Sequence, residues 1–210
     1  MKVLLINGSP NEKKSVYTAL QEVEKTLNSE GIETDIFWIG NKPISGCNSC
    51  MKCASIGKCV FNDKVNEFVE KAASYDGFIF GTPVYFSGVN GSMISFMDRV
   101  FFSSLLTKNF SFYLKPAAGI ITLRRGGSSS TWDQLNKYFG IMQMPIVTSQ
   151  YWNMVHGSSP EEIIRDLEGL QTMRTLAKNM SFMLKCKEIG LKNGVKFPEI
   201  EPQIMTNFIR

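Results

Sequence analysis

The sequence predicts one α/β domain built on a doubly wound parallel sheet of five strands in the order 2-1-3-4-5. Apolar runs alternate with amphipathic helical patterns from the first residues onward, which is typical of a parallel sheet covered by helices on both faces. The 210 residues suffice for one such domain and are too few for two. Hydrophobic residues make up 43% and charged residues 20% of the chain, a composition that excludes a disordered protein.

The strands are predicted from apolar stretches bounded by turn residues. The first, Lys2 to Ile6, is continuously apolar after Lys2, as expected of a strand buried on both faces. The other four are predicted at Glu33 to Ile39, Asp76 to Gly81, Lys115 to Leu123 and Pro145 to Thr148. Ligands of such sheets bind at the carboxyl ends of the strands, where the strand order reverses. The loops after strands one, three and four are therefore the candidate site.

The helices are predicted from apolar residues spaced three and four positions apart. They cover about Ser15 to Glu30, Val65 to Ala72, Asn90 to Leu106, and a segment that starts after the irregular stretch 125–130, is capped by its serines, and ends at Tyr138 or Phe139. The last helix begins at the capping sequence Ser159-Pro160-Glu161-Glu162 and continues without a break to about Leu184.

The domain is placed at residues 1–190, with a cysteine-rich loop at 43–60. The tail at 191–210 ends in apolar residues, and we expect it to dock on the domain or on a neighbouring subunit: Ile204, Met205, Phe208, Ile209. Cys186, on the last helix, is expected to be a buried small hydrophobe.

Charge and residue usage exclude several function classes. The net charge is +4, but basic runs stop at two residues, which argues against a nucleic-acid partner. The single histidine, His156, excludes zinc sites that need two histidines. The apolar runs are too short for a membrane span or a secretion signal, so we expect a cytoplasmic protein without a membrane partner.

The loop after strand one has the features of a phosphate-binding loop. It joins a buried strand to a helix, so its hydroxyls and amides face an anion held at the positive end of the helix dipole. Neither a Walker sequence nor a G-x-G-x-x-G is present, which favours a phosphate monoester over a nucleoside triphosphate or a dinucleotide. The alternative is a plain polar turn with Ser15 as the helix N-cap.

The segment Lys2 to Pro10, KVLLINGSP, resembles the start of flavodoxin-like NAD(P)H-dependent FMN reductases. The resemblance implies a flavodoxin-like fold and an FMN phosphate held by this loop. The matching positions are Ser9, Asn11, Ser15 and Val16. This chain has Lys13-Lys14-Ser15 where the family commonly has Gly-Asn-Thr or Gly-Asn-Ser, so the hydroxyl is kept and the flexible glycine is not.

Two further loops resemble the same family. The sequence GTPVYFSGVNG after strand three is similar to the family's ring-binding loop, which implies flavin contacts by Pro83, Val84, Tyr85 and Phe86. After strand four, the resemblance implies a loop beside the flavin N1 and O2, in which glycines let backbone amides approach the ring and arginines add positive charge. Its residues are Arg124, Arg125, Gly126 and Gly127. The alternatives are a strand end packed by aromatic rings and a pair of solvated arginines.

Four cysteines lie within one short loop, in the pattern Cys47-x2-Cys50-x2-Cys53-x5-Cys59. Four thiolates at this spacing fit a [4Fe–4S] cluster or an all-cysteine zinc site, and the compact spacing is closer to the cluster type. With the fold around it, the loop resembles that of the iron-sulfur flavoproteins, a branch of the same family. Zinc and plain thiols, including a redox dithiol, remain open.

These resemblances imply an FMN-dependent oxidoreductase that moves electrons between NAD(P)H or an iron-sulfur centre and a flavin, a quinone-type compound or a protein acceptor. NAD(P)H is the expected co-substrate. The flavin carries the chemistry, so no catalytic side chain is predicted. The alternatives are a non-enzymatic flavodoxin-like electron carrier and a zinc-stabilised interaction domain. We expect a homodimer or homotetramer.

Overall fold

The computed structural model describes residues 1–206 and residue 208 of the chain. Five strands form a parallel sheet in the order β2-β1-β3-β5-β6, and the short strand β4 pairs antiparallel with the end of β3. The bounds are β1 Lys2–Asn7, β2 Glu33–Trp38, β3 Gly77–Tyr85, β4 Gly88–Val89, β5 Ala117–Leu123 and β6 Met154–His156. Counting only the parallel strands, this is the predicted order 2-1-3-4-5, so the predicted fold class is confirmed.

Two apolar clusters cover the two faces of the sheet, because alternate residues of each central strand point to opposite sides. Leu4 and Ile6 of β1 belong to a cluster with Phe68 and Phe96 from the helices on one face. The alternating residues of the same strand, Val3 and Leu5, belong to the opposite cluster, with partners from the first and last helices. The carboxyl edge of the sheet lies between these two helical layers.

The helices are α1 Ser15–Ser29, α2 Cys53–Ile56, α3 Lys64–Ala72, α4 Gly91–Leu106, α5 Ser128–Ile141, α6 Pro160–Ile163 and α7 Leu167–Lys192, with a 3₁₀ turn at Phe110–Phe112. Helix α4 begins where it was predicted, because the Asn90 side chain accepts hydrogen bonds from the amides of Ser92 and Met93. Among the described residues, no helix is both long enough and apolar enough to cross a membrane.

The fifth strand was predicted at the wrong place. Residues 145–148 make only an isolated bridge to the start of β5: the Ala117 amide donates to the Pro145 carbonyl at 2.9 Å, and the Val147 amide donates to the Ala117 carbonyl at 2.8 Å. The chain then loops away and returns as Met154–His156, which pairs with the end of β5. This run of three residues is too short to produce a recognisable apolar pattern, so the sequence pointed to the longer stretch before it.

The last helix was predicted as one piece and is broken. The Ser159 hydroxyl accepts a hydrogen bond from the Glu162 amide at 3.3 Å and starts α6, as expected, but this helix ends at Ile163. Asp166 then acts as a second N-cap, accepting from the Gly169 amide at 2.9 Å, and α7 begins behind it. A short carboxylate side chain competes with the helix for backbone amides, which explains the break.

The start of α5 and the location of Cys186 also differ from expectation. Gly127, in a left-handed conformation with φ of 93°, occupies the N-cap of α5 that was assigned to the serines after it. Cys186 is exposed on α7 and is not a buried hydrophobe.

Helix α7 ends at Lys192, and the first part of the tail folds back against it. The Val195 amide donates to the Gly190 carbonyl at 3.0 Å, and the ammonium of Lys187 lies 5.4 Å from the centre of the Phe197 ring. The apolar side chains further along, Ile204, Met205 and Phe208, are exposed. Ile209, part of the predicted docking segment, lies outside the described residues.

Candidate functional site

A cleft opens at the carboxyl edge of the sheet, where the loops after β1, β3 and β5 meet. It is open to solvent and has a volume of about 270 Å³. Its lining consists of Ser9, Asn11, Lys14, Ser15, Val16, Pro83, Val84, Tyr85, Thr122, Leu123, Arg124, Gly157 and Ser158. The three loops selected from the sequence are thus assembled into one site.

The cleft contains most, but not all, of the residues predicted to bind the cofactor. Those that line it are Ser9, Asn11, Ser15, Val16, Pro83, Val84, Tyr85 and Arg124, and those that do not are Phe86, Arg125, Gly126 and Gly127. Sequence reasoning missed five lining residues: Lys14, Thr122, Leu123, Gly157 and Ser158. Lys14 could have been found from its place beside Ser15, whereas Gly157 and Ser158 follow the strand that was misplaced.

Side-chain to backbone hydrogen bonds fold the first loop into a compact turn. The buried side chain of Asn7 accepts from the Ser9 amide at 3.0 Å and donates to the Glu12 carbonyl at 2.7 Å. The Ser9 hydroxyl in turn accepts from the Asn11 amide at 3.1 Å. Asn7 is a structural contributor that the sequence reasoning did not single out.

The first turn of α1 remains available to an anion. Lys14, and not Ser15, occupies the N-cap position, and its side chain makes no capping hydrogen bond. The amides at the start of α1 therefore have no side-chain acceptor from the cap, and they lie beside the Ser15 hydroxyl at the edge of the cleft. This arrangement, with a lysine at the same position, suits a dianionic phosphate.

The second loop is a tight hairpin between β3 and β4. Tyr85 pairs with Gly88, and the two turn residues, Phe86 and Ser87, both have positive φ, at 49° and 58°. The Phe86 side chain is fully exposed, whereas Pro83 and Val84 form a wall of the cleft. The hairpin therefore gives the cleft an apolar face and directs its tip into solvent.

The third loop packs against that hairpin. The Ser130 hydroxyl donates to the Ser87 carbonyl at 2.6 Å, and a Cβ atom placed on Gly127 would lie 2.6 Å from the Ser87 Cα. Glycine is therefore required at position 127 by a close backbone approach as well as by its positive φ. Gly127 packs against the hairpin without lining the cleft, whereas Arg124 of the same loop lines it.

A second cavity is lined by the four cysteines of the predicted metal loop. Cys47 and Cys50 are exposed, Cys53 is buried and Cys59 is half-buried. The backbone of Cys59 is fixed by Asn66, whose side chain accepts from its amide at 3.0 Å and donates to its carbonyl at 2.9 Å. Burial raises the pKa of the Cys53 thiol.

The fit of this cavity to a metal centre is mixed. Within the part of the chain that the structure describes, no group of three or more His, Cys, Asp or Glu residues is arranged to hold a metal ion. The structure alone therefore does not support a [4Fe–4S] cluster. The donor chemistry is nevertheless suitable, because four sulfur ligands share one cavity with the guanidinium of Arg99, whose Nε donates to the Cys59 Sγ at 3.3 Å.

The sequence profile of the family described as NADPH-dependent FMN reductase matches residues 1–159, which include all three loops of the cleft. The chain belongs to this family. An iron-sulfur flavoprotein of Methanocaldococcus jannaschii is 33% identical over 192 residues, covering 88% of this chain and 98% of the relative. One from Methanosarcina thermophila is 27% identical, covering 88% of this chain and 96% of that protein.

Solved structures show the same fold as this member of the FMN reductase family. RosB, solved with a bound 8-demethyl-8-formylriboflavin-5'-phosphate, superimposes with a TM-score of 0.69 at 15% identity, covering 100% of this chain and 94% of RosB. An archaeal flavodoxin gives a TM-score of 0.57 at 11% identity, covering 88% of this chain and 99% of that one. At these identities the likeness concerns the fold alone, and it confirms the flavodoxin-like architecture.

Proposed function

We propose that the protein is an FMN-dependent oxidoreductase that takes electrons from NAD(P)H or from a metal centre and passes them to a flavin, a quinone-type compound or a protein acceptor. The observation that carries this proposal is the cleft at the carboxyl edge of the sheet, formed by three loops that all lie within the family match. Bound FMN would supply the capacity to accept a hydride and to pass on single electrons.

The chain's own part begins with anchoring the phosphate. Ser9 and Ser15 offer hydroxyls, the first turn of α1 offers amides, and Lys14 offers a positive charge at the same end of the cleft. Hydrogen bonds to a charged partner contribute about 1.5–3 kcal/mol each, so this loop should account for much of the affinity. It also fixes where the rest of the molecule lies.

The remaining loops would act on the ring system. Pro83 and Val84 give an apolar wall that excludes water from one side of a planar ligand. The guanidinium of Arg124 places positive charge at the end of β5, where it would stabilise the anionic reduced form of the ring. The aromatic side chain of Tyr85 lines the cleft and is exposed, so it is suited to contact an incoming electron donor or acceptor.

For the cysteine cavity we propose a [4Fe–4S] cluster held by Cys47, Cys50, Cys53 and Cys59. Two observations support it: the four thiols line one cavity, and relatives that this chain matches along nearly their whole length carry the name iron-sulfur flavoprotein. Such a centre would supply single electrons. We further propose a cytoplasmic homodimer or homotetramer.

Anaerobic purification followed by FMN titration tests the flavin site. We expect saturable FMN binding and loss of the flavin absorption band on addition of NADPH. A protein that binds no FMN would overturn the proposal. Steady-state turnover with NADPH and a quinone separates an enzyme from a flavodoxin-like carrier, and iron, sulfide and zinc content separates a cluster from a zinc-stabilised domain.

A matched pair of variants tests the phosphate loop. We expect Ser15→Ala to weaken FMN binding about tenfold while leaving riboflavin binding unchanged, because only FMN carries the phosphate. Ser29→Ala, at the other end of the same helix, is the control and should bind both flavins like the wild type. Equal losses for FMN and riboflavin would show that Ser15 does not contact the phosphate.

A further inference from the structure

The largest fully buried side chains among the described residues include that of an arginine. Arg99 lies in the middle of α4 with its side chain 0% exposed. Burying a charge costs several kcal/mol unless it is paired and fully hydrogen-bonded. Apart from Asp98, the residues within three positions of Arg99 are apolar, so this guanidinium requires a structural or functional explanation.

Asp63 pairs with Arg99 through both carboxylate oxygens. The Arg99 Nη1 and Nη2 atoms donate to them at 2.6 and 2.9 Å, and the guanidinium lies 4.7 Å from the centre of the Phe61 ring. Asp63 is itself held as the N-cap of α3, accepting from the Val65 amide at 3.1 Å. The ion pair is therefore rigid, with the carboxylate fixed by one helix and the guanidinium by another.

The remaining side-chain nitrogen of Arg99 is directed at a cysteine. Its Nε donates to the Cys59 Sγ at 3.3 Å, and Arg99 lines the same cavity as the four cysteines. Because Asn66 fixes the Cys59 backbone from the other side, this N–H to sulfur contact joins two positioned groups. A buried cation and a hydrogen-bond donor thus act on one sulfur of the proposed metal centre.

We propose that Arg99 is a positioning residue that raises the reduction potential of the centre held by these cysteines, with Asp63 limiting the effect. This inference rests on the proposed function. Reduction adds one electron to a centre that thiolates already make negative, and no ligand is exchanged. A fixed positive charge and a hydrogen bond to sulfur stabilise the more negative state, because hydrogen bonds and local charge are known determinants of cluster potentials.

A purely structural role makes a different prediction. Substituting either partner breaks the same ion pair, so a structural role predicts the same kind of damage from both sides. An electrostatic role predicts opposite effects on the potential, because one substitution removes a positive charge beside the sulfur and the other removes a negative one. Asn is a good N-cap residue, so Asp63→Asn preserves the start of α3 while removing the charge.

The test is an anaerobic redox titration of the iron-reconstituted wild type, Arg99→Gln and Asp63→Asn, followed by visible absorption and electron paramagnetic resonance. We expect Arg99→Gln to lower the reduction equilibrium constant about tenfold, which is about 59 mV for a one-electron couple, and Asp63→Asn to raise it. Lys64→Gln removes a positive charge whose side chain is 45% exposed. Solvent and salt screen that charge, so this control should keep the wild-type potential.

Three outcomes would overturn the inference. Shifts of the two variants' potentials in the same direction would reduce the ion pair to a structural role. If the wild type takes up iron and both variants keep the wild-type potential, this inference alone is wrong. If the wild type takes up no iron, the proposed cluster is wrong as well. If Arg99→Gln does not fold, Arg99→Lys keeps the charge and removes the Nε donor. The reduction potential of Arg99→Lys should then be lower than that of the wild type, a shift opposite in direction to that of Asp63→Asn.

Discussion

The backbone amide of Gly8 donates to the carbonyl oxygen of Gly81 at 2.8 Å. Gly8 directly follows β1, where the chain leaves the sheet for the first loop of the cleft, and Gly81 lies within β3, opposite Asn7 and before the second loop. A Cβ atom on Gly8 would lie 2.6 Å from the Met93 Sδ and 2.8 Å from this carbonyl oxygen. The relative placement of the two loops thus depends on a backbone approach that only glycine permits.

Gly8→Ala should therefore damage both folding and the cleft. We expect a loss of about 1–3 kcal/mol in the free energy of unfolding, from overpacking, together with weaker FMN binding. Thermal unfolding and flavin fluorescence titration measure the two effects. Gly91→Ala is the control, because a Cβ there meets nothing within 4 Å and alanine favours the helix. A Gly8→Ala protein as stable as the control would contradict the geometry.

The two neighbouring arginines after β5 should differ in function. Arg124 lines the cleft and Arg125 does not, so Arg124→Gln should weaken FMN binding and make the bound flavin harder to reduce, whereas Arg125→Gln should do neither. The effect should stay below about tenfold and shrink as salt is added, because the site is open to solvent. FMN titrations at low and high ionic strength check this. Equal effects of both substitutions would indicate only a change of net charge.

Iron uptake should distinguish the four loop cysteines from the fifth. Cys47→Ser, Cys50→Ser, Cys53→Ser and Cys59→Ser should each reduce the iron bound after anaerobic reconstitution, because each removes a sulfur from the shared cavity. Cys186→Ser, on α7, should leave it unchanged. Iron and sulfide analysis gives the readout. Equal iron in all five variants would place the metal elsewhere or show non-specific binding.

Stability should depend on pH through Asp35. The hydrogen bond from Lys2, with its Nζ 2.8 Å away, and a second from the Tyr75 hydroxyl lower the pKa of Asp35. A lowered pKa stabilises the fold above the pKa of the unfolded carboxyl group, about 3.9, and that contribution is lost as the pH falls through the folded value. Asp35→Asn should lower the free energy of unfolding by less than about 1 kcal/mol at neutral pH, because the carboxyl group is near the surface.

Urea unfolding at pH 7 and near pH 3 measures that dependence. The difference in unfolding free energy between wild type and Asp35→Asn should shrink toward the acid end. Glu33→Gln, on the same strand, removes the same charge without removing the Lys2 and Tyr75 contacts and is the control. A difference that stays constant with pH would assign the effect to packing.

The parts of the fold that follow from local patterns could be predicted. Strand β1 is a continuous apolar run, and Asn90 is a good cap at the start of an apolar helix, so both were located to within a residue or two. The broken last helix and the displaced fifth strand were missed. Asp166 competes for backbone amides in a way that the apolar stripe conceals, and Met154–His156 acquires its pairing only from β5.

The candidate site also has parts that could be predicted from local sequence and parts that could not. The loops could be located because their place after buried strands is a topological rule. The contribution of Asn7 and the burial of Arg99 depend on partners that no local spacing reveals. Arg99 meets an aspartate 36 residues earlier in the chain, and a charged residue on an apolar helix is ordinarily assigned to the solvent side.

The fifth position of the sheet is shared between the isolated bridge at residues 145–148 and the short strand β6. This affects whether another chain could add a strand there. An exposed strand edge offers a row of unpaired amides and carbonyls to another chain, and long, flat, apolar edges are the hazardous ones. Here one border of the sheet ends in the three residues of β6, and the other, β2, begins with Glu33, Thr34 and Asp35. Neither border is a good template for fibril growth, so strand addition at the sheet borders should not drive aggregation when the protein is concentrated.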